Sequence, residues 1–114
     1  MIEKRLIKFR GKSTARVTFT MPSSTWACQV NLVGDFNNWN HTSHPMRQDK
    51  DGKWTTTIDL EPGRTYEFRY LCDGTEWAND NQADGTVPNP YGADNSLVVT
   101  PPDVGTAAEK RPSK

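Results

Sequence analysis

Apolar and polar residues alternate with a period of two along much of the chain. This spacing is typical of β-strands that bury one face and expose the other. The positions directed to the buried face are Val17, Phe19 and Met21, then Trp26, Cys28, Val30 and Leu32, then Trp54, Thr56, Ile58 and Leu60, and finally Tyr66, Phe68, Tyr70 and Cys72. We expect a further short strand over residues 96–100. No window of useful length shows the apolar stripe of an amphipathic helix.

Glycine, proline and aspartate mark turns between these strands. The clearest turn signals are Asp51-Gly52, Glu61-Pro62-Gly63 and Asp73-Gly74. The second signal predicts a short hairpin, and the third is followed by a short return strand that begins at Glu76. Short antiparallel strands with frequent tight turns predict an all-β fold, specifically an immunoglobulin-like antiparallel β-sandwich.

The 114 residues suit one domain with a small core. Residues 1–13 carry five basic side chains against one glutamate, and they are predicted to form a basic N-terminal arm or an edge strand blunted by charge. Residues 14–100 are predicted to form the sandwich, and residues 101–114 a flexible C-terminal tail. Within the sandwich, residues 78–94 show no periodicity and are predicted to form a long loop, which at that length is often functional.

The charge balance and the cysteine content limit the class of protein. Basic and acidic residues each number 14, so no overall charge favours nucleic acid or an anionic membrane as a partner. No apolar run reaches the ~20 residues of a transmembrane helix, and the N-terminus lacks the apolar region of a secretory signal. We therefore expect a cytoplasmic chain whose two cysteines, Cys28 and Cys72, are reduced core residues.

No pattern in the sequence indicates a cofactor, a metal or a catalytic site. His41 and His44 lie in a polar segment with no cysteine or third histidine near them, which is too few ligands for a metal ion. The nucleophile elbow, the phosphate-binding loop and the zinc-protease motif are absent from the sequence. The aspartates stand in turn contexts, where aspartate is locally favoured. We expect the chain not to be an enzyme.

Two tryptophans fall outside the core pattern. Trp39 lies in the segment GDFNNWN, where Gly34 and the asparagines are expected to let the chain leave the preceding strand sharply, and Trp77 follows the third turn. Each indole can fold back as a lid on the core or stand exposed as a platform for a ligand. A pair of exposed indoles suits a sugar, whose C–H bonds pack on an aromatic ring while its hydroxyls need polar partners. The polar candidates are Asn37, Asn38, Asn95 and Arg69.

Three runs of the sequence together resemble a known family. They are VNLVGDFNNWN, DGKWTTTIDLEPGRTYEFRYLCDGTEW and VPNPYGADNSLVV. Their ordered motifs G-D-F-N-N-W, PG-x-x-Y-x-F, DG-x-x-W and N-P-Y-G-x-x-N are similar over residues 14–100 to the family 48 carbohydrate-binding modules. That family includes the N-terminal (early set) domains of isoamylase and branching enzymes and the glycogen-binding domain of the AMP-activated protein kinase β subunit. The resemblance implies an immunoglobulin-like sandwich that binds α-glucans such as glycogen, starch and maltooligosaccharides.

The resemblance also implies roles for individual residues. In the kinase-type modules two tryptophans stack on the glucan, and a lysine and an asparagine hydrogen-bond its hydroxyls. The corresponding positions here are Trp39, Trp77, Arg69 and Asn95. An apolar residue that threads into the glucan in those modules corresponds to Tyr91.

Several departures from the family pattern bear on this site. Tyr91 replaces the apolar residue and could stack on the glucan instead, and Ala93 stands where the kinase-type modules carry a threonine, which removes a hydroxyl. Arg69 takes the place of the lysine. One extra residue separates Gly74 from Trp77, which changes the position of the indole along the return strand.

Two functions remain as hypotheses at this point. The first is non-catalytic binding of α-glucans by aromatic stacking and polar contacts. The alternative is a protein-interaction or scaffold domain that associates with an enzyme of glycogen metabolism. The catalytic members of the family place their chemistry in a separate barrel of about 250 residues, for which this chain has no room.

Overall fold

The computed structural model describes residues 1–21 and 27–102. Within this part of the chain there are nine β-strands and a single 3₁₀ turn over Asp35–Asn37. The strands are β1 (Ile2–Phe9), β2 (Lys12–Met21), β3 (Val30–Gly34), β4 (Arg47–Gln48), β5 (Trp54–Leu60), β6 (Thr65–Cys72), β7 (Glu76–Ala78), β8 (Gly85–Pro88) and β9 (Asp94–Val99). No helix in the described ranges is long and apolar enough to cross a membrane.

The strands form two antiparallel sheets. The first sheet has the order β1-β2-β5-β4, and the second has the order β3-β6-β9-β8. In the second sheet, β9 pairs with the first half of β6 and β7 pairs with its second half, while β3 lies along the opposite edge of β6. The predicted all-β, antiparallel sandwich is therefore confirmed.

The two sheets pack face to face over one apolar core. Phe19 of β2 and Phe68 of β6 are fully buried, and their ring centroids lie 5.0 Å apart. The other buried residues of this core are Ala15, Val17, Met21, Val30, Leu32, Met46, Trp54, Leu60, Tyr70, Cys72 and Val98. Val33 and Leu71 are also buried, but they lie on the opposite face of the second sheet, the face that carries Arg69 and Trp77. Most of the core residues are the ones that the period-two pattern placed inside. Trp26, which was also predicted to be buried, lies outside the described residues.

The prediction that Cys28 is a core residue is wrong. Cys28 is exposed, whereas Cys72 is buried, and both thiols are free. The strand that was expected to include Cys28 begins only at Val30. Cys28 instead lies in a bend, where its backbone N–H donates a 2.7 Å hydrogen bond to Asp73 Oδ1.

The segment predicted as one long loop, residues 78–94, contains part of the second sheet. Its strand β8 pairs with β9 from Gly85 opposite Leu97 to Pro88 opposite Asp94. A four-residue edge strand that holds a glycine and a proline shows little alternation, which is why the pattern does not reveal it. β9 itself begins at Asp94, two residues before the predicted start.

The N-terminal strands β1 and β2 form a hairpin in the first sheet. β1 pairs along its whole length with β2, so the domain boundary predicted after residue 13 falls inside β2. β1 is an edge strand, and Lys4 on it contacts Asp84 across the sandwich, with Nζ 2.6 Å from Oδ2. Of the predicted C-terminal tail, residues 103–114 lie outside the described part of the chain.

The chain crosses from one sheet to the other after the segment that contains Trp39. The N–H of Leu32 donates to His44 O and the N–H of Met46 donates to Val30 O, each at 2.8 Å, so this stretch runs along the free edge of β3. β4 follows at once and pairs with β5 in the first sheet. The loop of residues 38–43 lies between the 3₁₀ turn that ends at Asn37 and the stretch that begins at His44 beside β3. It is therefore anchored at both ends.

Candidate functional site

The outer face of the second sheet, which points away from the core, brings two of the predicted site residues together. Phe68 and Tyr70 of β6 point into the core, so Arg69 between them points outward. Trp77 of β7 is paired with Leu71, two positions beyond Arg69, and therefore shares its face. The Arg69 Cζ atom lies 5.5 Å from the centroid of the Trp77 ring, which is a cation–π contact.

Asn79 holds the guanidinium of Arg69 in place. Arg69 Nε donates to Asn79 Oδ1 at 3.1 Å, and Asn79 Nδ2 donates to the backbone oxygen of Asp94 at 3.0 Å. The Arg69 side chain is thus tied to the first residue of β9. Nothing in the sequence pattern singled out Asn79, which directly follows β7.

Trp39 sits in a strained turn and is anchored to the sheet by a carboxylate. Asn38 and Trp39 both have φ of 57°, the left-handed region that few bulky residues adopt. Trp39 Nε1 donates to Asp35 Oδ1 at 3.0 Å, and Asp35 Oδ2 accepts the backbone N–H of Glu67 at 2.8 Å. Trp39 is half-buried, and Asp35 holds its indole beside β6.

His41 connects the loop that carries Trp39 to Trp77. The His41 and Trp77 ring centroids are 5.3 Å apart, and the rings meet edge to face at 79°. Trp39 is two residues from His41, and two residues of chain span at most ~7 Å. Because His41 contacts Trp77, Trp39 and Trp77 lie close to the same area of the sheet. Trp77 retains 38% exposure, which leaves part of its indole open to a ligand. Nothing in the sequence pattern singled out His41 for this contact.

Gly34 has a different role from the one predicted. Its backbone is extended, with φ of −174°, so it does not make the sharp exit from β3. The turn falls instead at Asn38 and Trp39. A Cβ atom at Gly34 would lie 2.5 Å from the backbone oxygen of Glu67, so glycine is required for close approach to β6.

Asn95 lies on the same outer face but is largely buried, with 7% exposure. Its Nδ2 donates to Glu67 Oε1 at 2.9 Å, and its Oδ1 accepts from Asn89 Nδ2 at 3.1 Å. The structure therefore places the predicted asparagine beside Arg69, on the neighbouring strand, within a network of side-chain hydrogen bonds.

Tyr91 stands at the tip of the turn before β9 and is 90% exposed. The turn is held from below by Asn89, whose Oδ1 accepts the backbone N–H of Tyr91 at 2.9 Å and of Ala93 at 3.2 Å. The phenol is thus presented to solvent from a hydrogen-bonded turn at the end of the outer face.

Asn37 is turned into the protein, unlike the other predicted site residues. Its Oδ1 accepts the N–H of Gly34 at 3.1 Å, its Nδ2 donates to Leu32 O at 3.0 Å, and the same Nδ2 lies 2.8 Å from His44 Nδ1. These contacts join the two sides of the 38–43 loop. The amide therefore supports the loop, and its contact with a ligand stays a prediction.

The described residues offer no comparable site in a concavity on the first sheet or in a cluster of metal-binding side chains. A concavity of about 570 Å³ lies on the first sheet, lined by Glu3, Lys4, Arg5, Arg16, Thr18 and Thr57. It has no aromatic side chain and so offers no stacking surface. Among residues 1–21 and 27–102, no three His, Cys, Asp or Glu side chains group closely enough to hold a metal ion.

Comparison with known proteins points to one family. The family model of carbohydrate-binding module 48, the isoamylase N-terminal domain, matches residues 9–92. The chain is 44% identical over 75 residues to a 1,4-alpha-glucan branching enzyme of Photobacterium profundum, covering 63% of this chain and 10% of that protein. It is 33% identical over 72 residues to the enzyme of the same name in Oceanobacillus iheyensis, covering 61% of this chain and 11% of that protein.

A shorter match has higher identity. The chain is 56% identical over 32 residues to the 1,4-alpha-glucan-branching enzyme of Dictyostelium discoideum, covering 28% of this chain and 5% of that protein. The chain thus spans only 5% to 11% of the length of these curated relatives. The family match covers most of the chain and includes β2 to β8. The chain therefore belongs to the carbohydrate-binding module 48 family, the isoamylase N-terminal domains.

Proposed function

We propose that the chain binds α-glucans such as glycogen, starch and maltooligosaccharides on the outer face of the second sheet, without catalysing a reaction. The observation that carries this proposal is the convergence of Trp39, Trp77 and Arg69 on one face. The C–H face of a glucose ring packs on an indole, and a guanidinium donates hydrogen bonds to its hydroxyls. Membership of a carbohydrate-binding family and similarity to glucan branching enzymes support the choice of ligand.

The shape of the face predicts weak binding. The site is an open surface, so a glucan would lose water from only one side. Stacking energy is offset by the desolvation of hydroxyls and by the immobilisation of the ligand. We expect dissociation constants in the range of about 1 μM to 1 mM.

Affinity gel electrophoresis tests the proposal directly. We expect native gels that contain glycogen or amylopectin to retard the protein, and gels that contain a β-glucan not to. Trp39→Ala and Trp77→Ala should each reduce the retardation, because each removes a stacking surface. Phe9→Ala is the matched control, since Phe9 is an aromatic with 69% exposure on the first sheet.

The outcome depends on the double variant. If the Trp39→Ala, Trp77→Ala protein is folded by circular dichroism and is still retarded as strongly as the wild type, the tryptophans do not form the site. Equal retardation by the β-glucan would exclude selectivity for α-glucans.

A second proposal concerns a protein partner. The relatives are whole branching enzymes in which the matched segment is a small part, which favours association of this module with an enzyme that acts on the same glucan. Analytical gel filtration of the chain mixed with a purified 1,4-alpha-glucan branching enzyme, without glucan, measures this. Elution of the two proteins at their separate volumes would contradict it.

We also propose that the chain resides in the cytoplasm. The free thiols of Cys28 and Cys72 support this, because small secreted domains usually form disulfides. Fractionation of cells that express the chain, with recovery in the soluble cytoplasmic fraction, is the expected result. Recovery in a secreted fraction would contradict it.

A further inference from the structure

Glu67 lies on the outer face beside the predicted glucan contacts. It precedes Arg69 by two residues on β6, so its side chain points to the same side of the sheet. Its Oε1 accepts a hydrogen bond from Asn95 Nδ2 at 2.9 Å, and its backbone N–H is held by Asp35, which also binds Trp39. The carboxylate of Glu67 thus lies beside Asn95, on the face that also carries Arg69, and its backbone is linked through Asp35 to Trp39.

Backbone groups determine which way the neighbouring amides face. Asn89 Oδ1 accepts two backbone N–H groups, those of Tyr91 and Ala93, so Asn89 must present its NH₂ group to Asn95. Asn95 then presents its oxygen to Asn89 and its NH₂ group to Glu67. The orientation of the Asn95 amide therefore follows from donors whose identity is certain.

Arg69 and Asn95 therefore offer a ligand mainly donors. Arg69 has only donors, and the oxygen of Asn95 already accepts from Asn89, which leaves an N–H of Asn95 for a ligand. A sugar hydroxyl both donates and accepts, so it also needs an acceptor on the protein. A carboxylate has about four acceptor positions, and Asn95 occupies one position on Glu67.

We propose that Glu67 is a direct, specificity-determining contact of the glucan. Its carboxylate accepts a hydrogen bond from one hydroxyl, and the adjacent hydroxyl of the same ring accepts a hydrogen bond from Arg69 or Asn95. The proposal rests on the proposed function, because it names a further contact in the same site. Neighbouring hydroxyls on one glucose ring match this alternation of acceptor and donor. The carboxylate also forms a stronger hydrogen bond than a neutral oxygen would.

Isothermal titration with β-cyclodextrin, a ring of α-linked glucose, tests the role of Glu67. The proteins are the wild type, Glu67→Gln, Asn95→Ala and the double variant, with Glu3→Gln as the control on the first sheet. Glu67→Gln keeps the shape and an oxygen for Asn95 but removes the charge. We expect it to raise the dissociation constant roughly fivefold or more, by the loss of a charge-assisted hydrogen bond, and we expect Glu3→Gln to leave it unchanged.

The double variant separates a direct contact from support of Asn95. If Glu67 touches the glucan, Glu67→Gln weakens binding in the Asn95→Ala background as well. If the effect disappears in that background, Glu67 acts only through Asn95 and the proposal is overturned. Wild-type affinity in Glu67→Gln overturns it too, while the proposed function stands. Absence of binding by the wild type removes the proposed function itself, and the proposal with it.

Discussion

Replacement of Gly34 by alanine should destabilise the domain strongly. A methyl group on the observed backbone would lie 2.5 Å from the Glu67 backbone oxygen, 2.9 Å from Phe68 Cβ and 2.9 Å from Phe36 Cζ. Carbon contacts without strain are about 3.5–4.0 Å. Two of the three atoms belong to the framework of β6, so they cannot move away unless β3 and β6 separate.

The size of the effect follows from this crowding. Overpacking of a core usually lowers the free energy of unfolding by about 1–3 kcal/mol. Because the methyl group would collide with a backbone atom, we expect Gly34→Ala to lower it by about 3 kcal/mol or more. For a domain of this size, 1 kcal/mol corresponds to roughly 4–8 °C in Tm, so we expect a decrease of roughly 12–24 °C. Thermal unfolding followed by circular dichroism measures the decrease, and urea unfolding gives the free energy of unfolding.

Gly85→Ala is the matched control for this measurement. A methyl group at Gly85, also in the second sheet, would meet only Leu97 Cδ1, at 3.3 Å, and the end of a leucine side chain can move. We expect the free energy of unfolding to change by less than about 1 kcal/mol. If Gly34→Ala is as stable as the wild type, or if both variants lose the same stability, close approach to β6 is not the reason for glycine at this position.

Three further predictions concern the Tyr70–Asp80 hydrogen bond and the two thiols. Tyr70 donates a 2.8 Å hydrogen bond to the buried carboxylate of Asp80, so Tyr70→Phe should lower the free energy of unfolding in urea by about 1–3 kcal/mol; no change would show that the bond does not stabilise the fold. Burial and the charge of Asp80 raise the pKa of Tyr70 above its ordinary value. Its contribution is therefore present below about pH 10 and is lost as the pH rises further, so the wild type should lose more stability than Tyr70→Phe between about pH 9 and 11. Iodoacetamide should modify the exposed Cys28 before Cys72. The thiolate is the reactive form, and burial, assisted by nearby carboxylates, raises the pKa of the Cys72 thiol. Equal rates of modification, measured by peptide mass spectrometry, would contradict this.

Strands with a regular alternation of apolar and polar residues were predictable from the sequence. Strands in which this alternation is interrupted were predicted only in part or not at all. The alternation in Trp54–Leu60 and Thr65–Cys72 predicts β5 and β6, because one face of each strand is buried. β1 was predicted only as one of two alternatives, an arm or an edge strand, because a charged residue, Lys4, lies on its inner side and is compensated by Asp84 from the other sheet. That compensation depends on residues 80 positions apart, which no local pattern contains.

The candidate site was predictable as a set of positions but not as a set of contacts. Strand parity alone places Arg69 on the solvent side of β6, and the structure agrees. The contact of His41 with Trp77 depends on where a loop crosses the sheet, and periodicity carries no information on that. The same limitation applies to Asn37, because its hydrogen bonds to Leu32, Gly34 and His44 depend on the path of the loop.

The contacts of Asn37 have a consequence for how this surface can evolve. The amide joins Leu32 and Gly34 on one side of the 38–43 loop to His44 on the other. Changes of length or composition between these anchors are therefore expected to leave the register of β3 intact, and longer loops cost little extra closure entropy. Under the proposed function, the 38–43 loop is where we expect substitutions and insertions to alter ligand preference with little loss of stability.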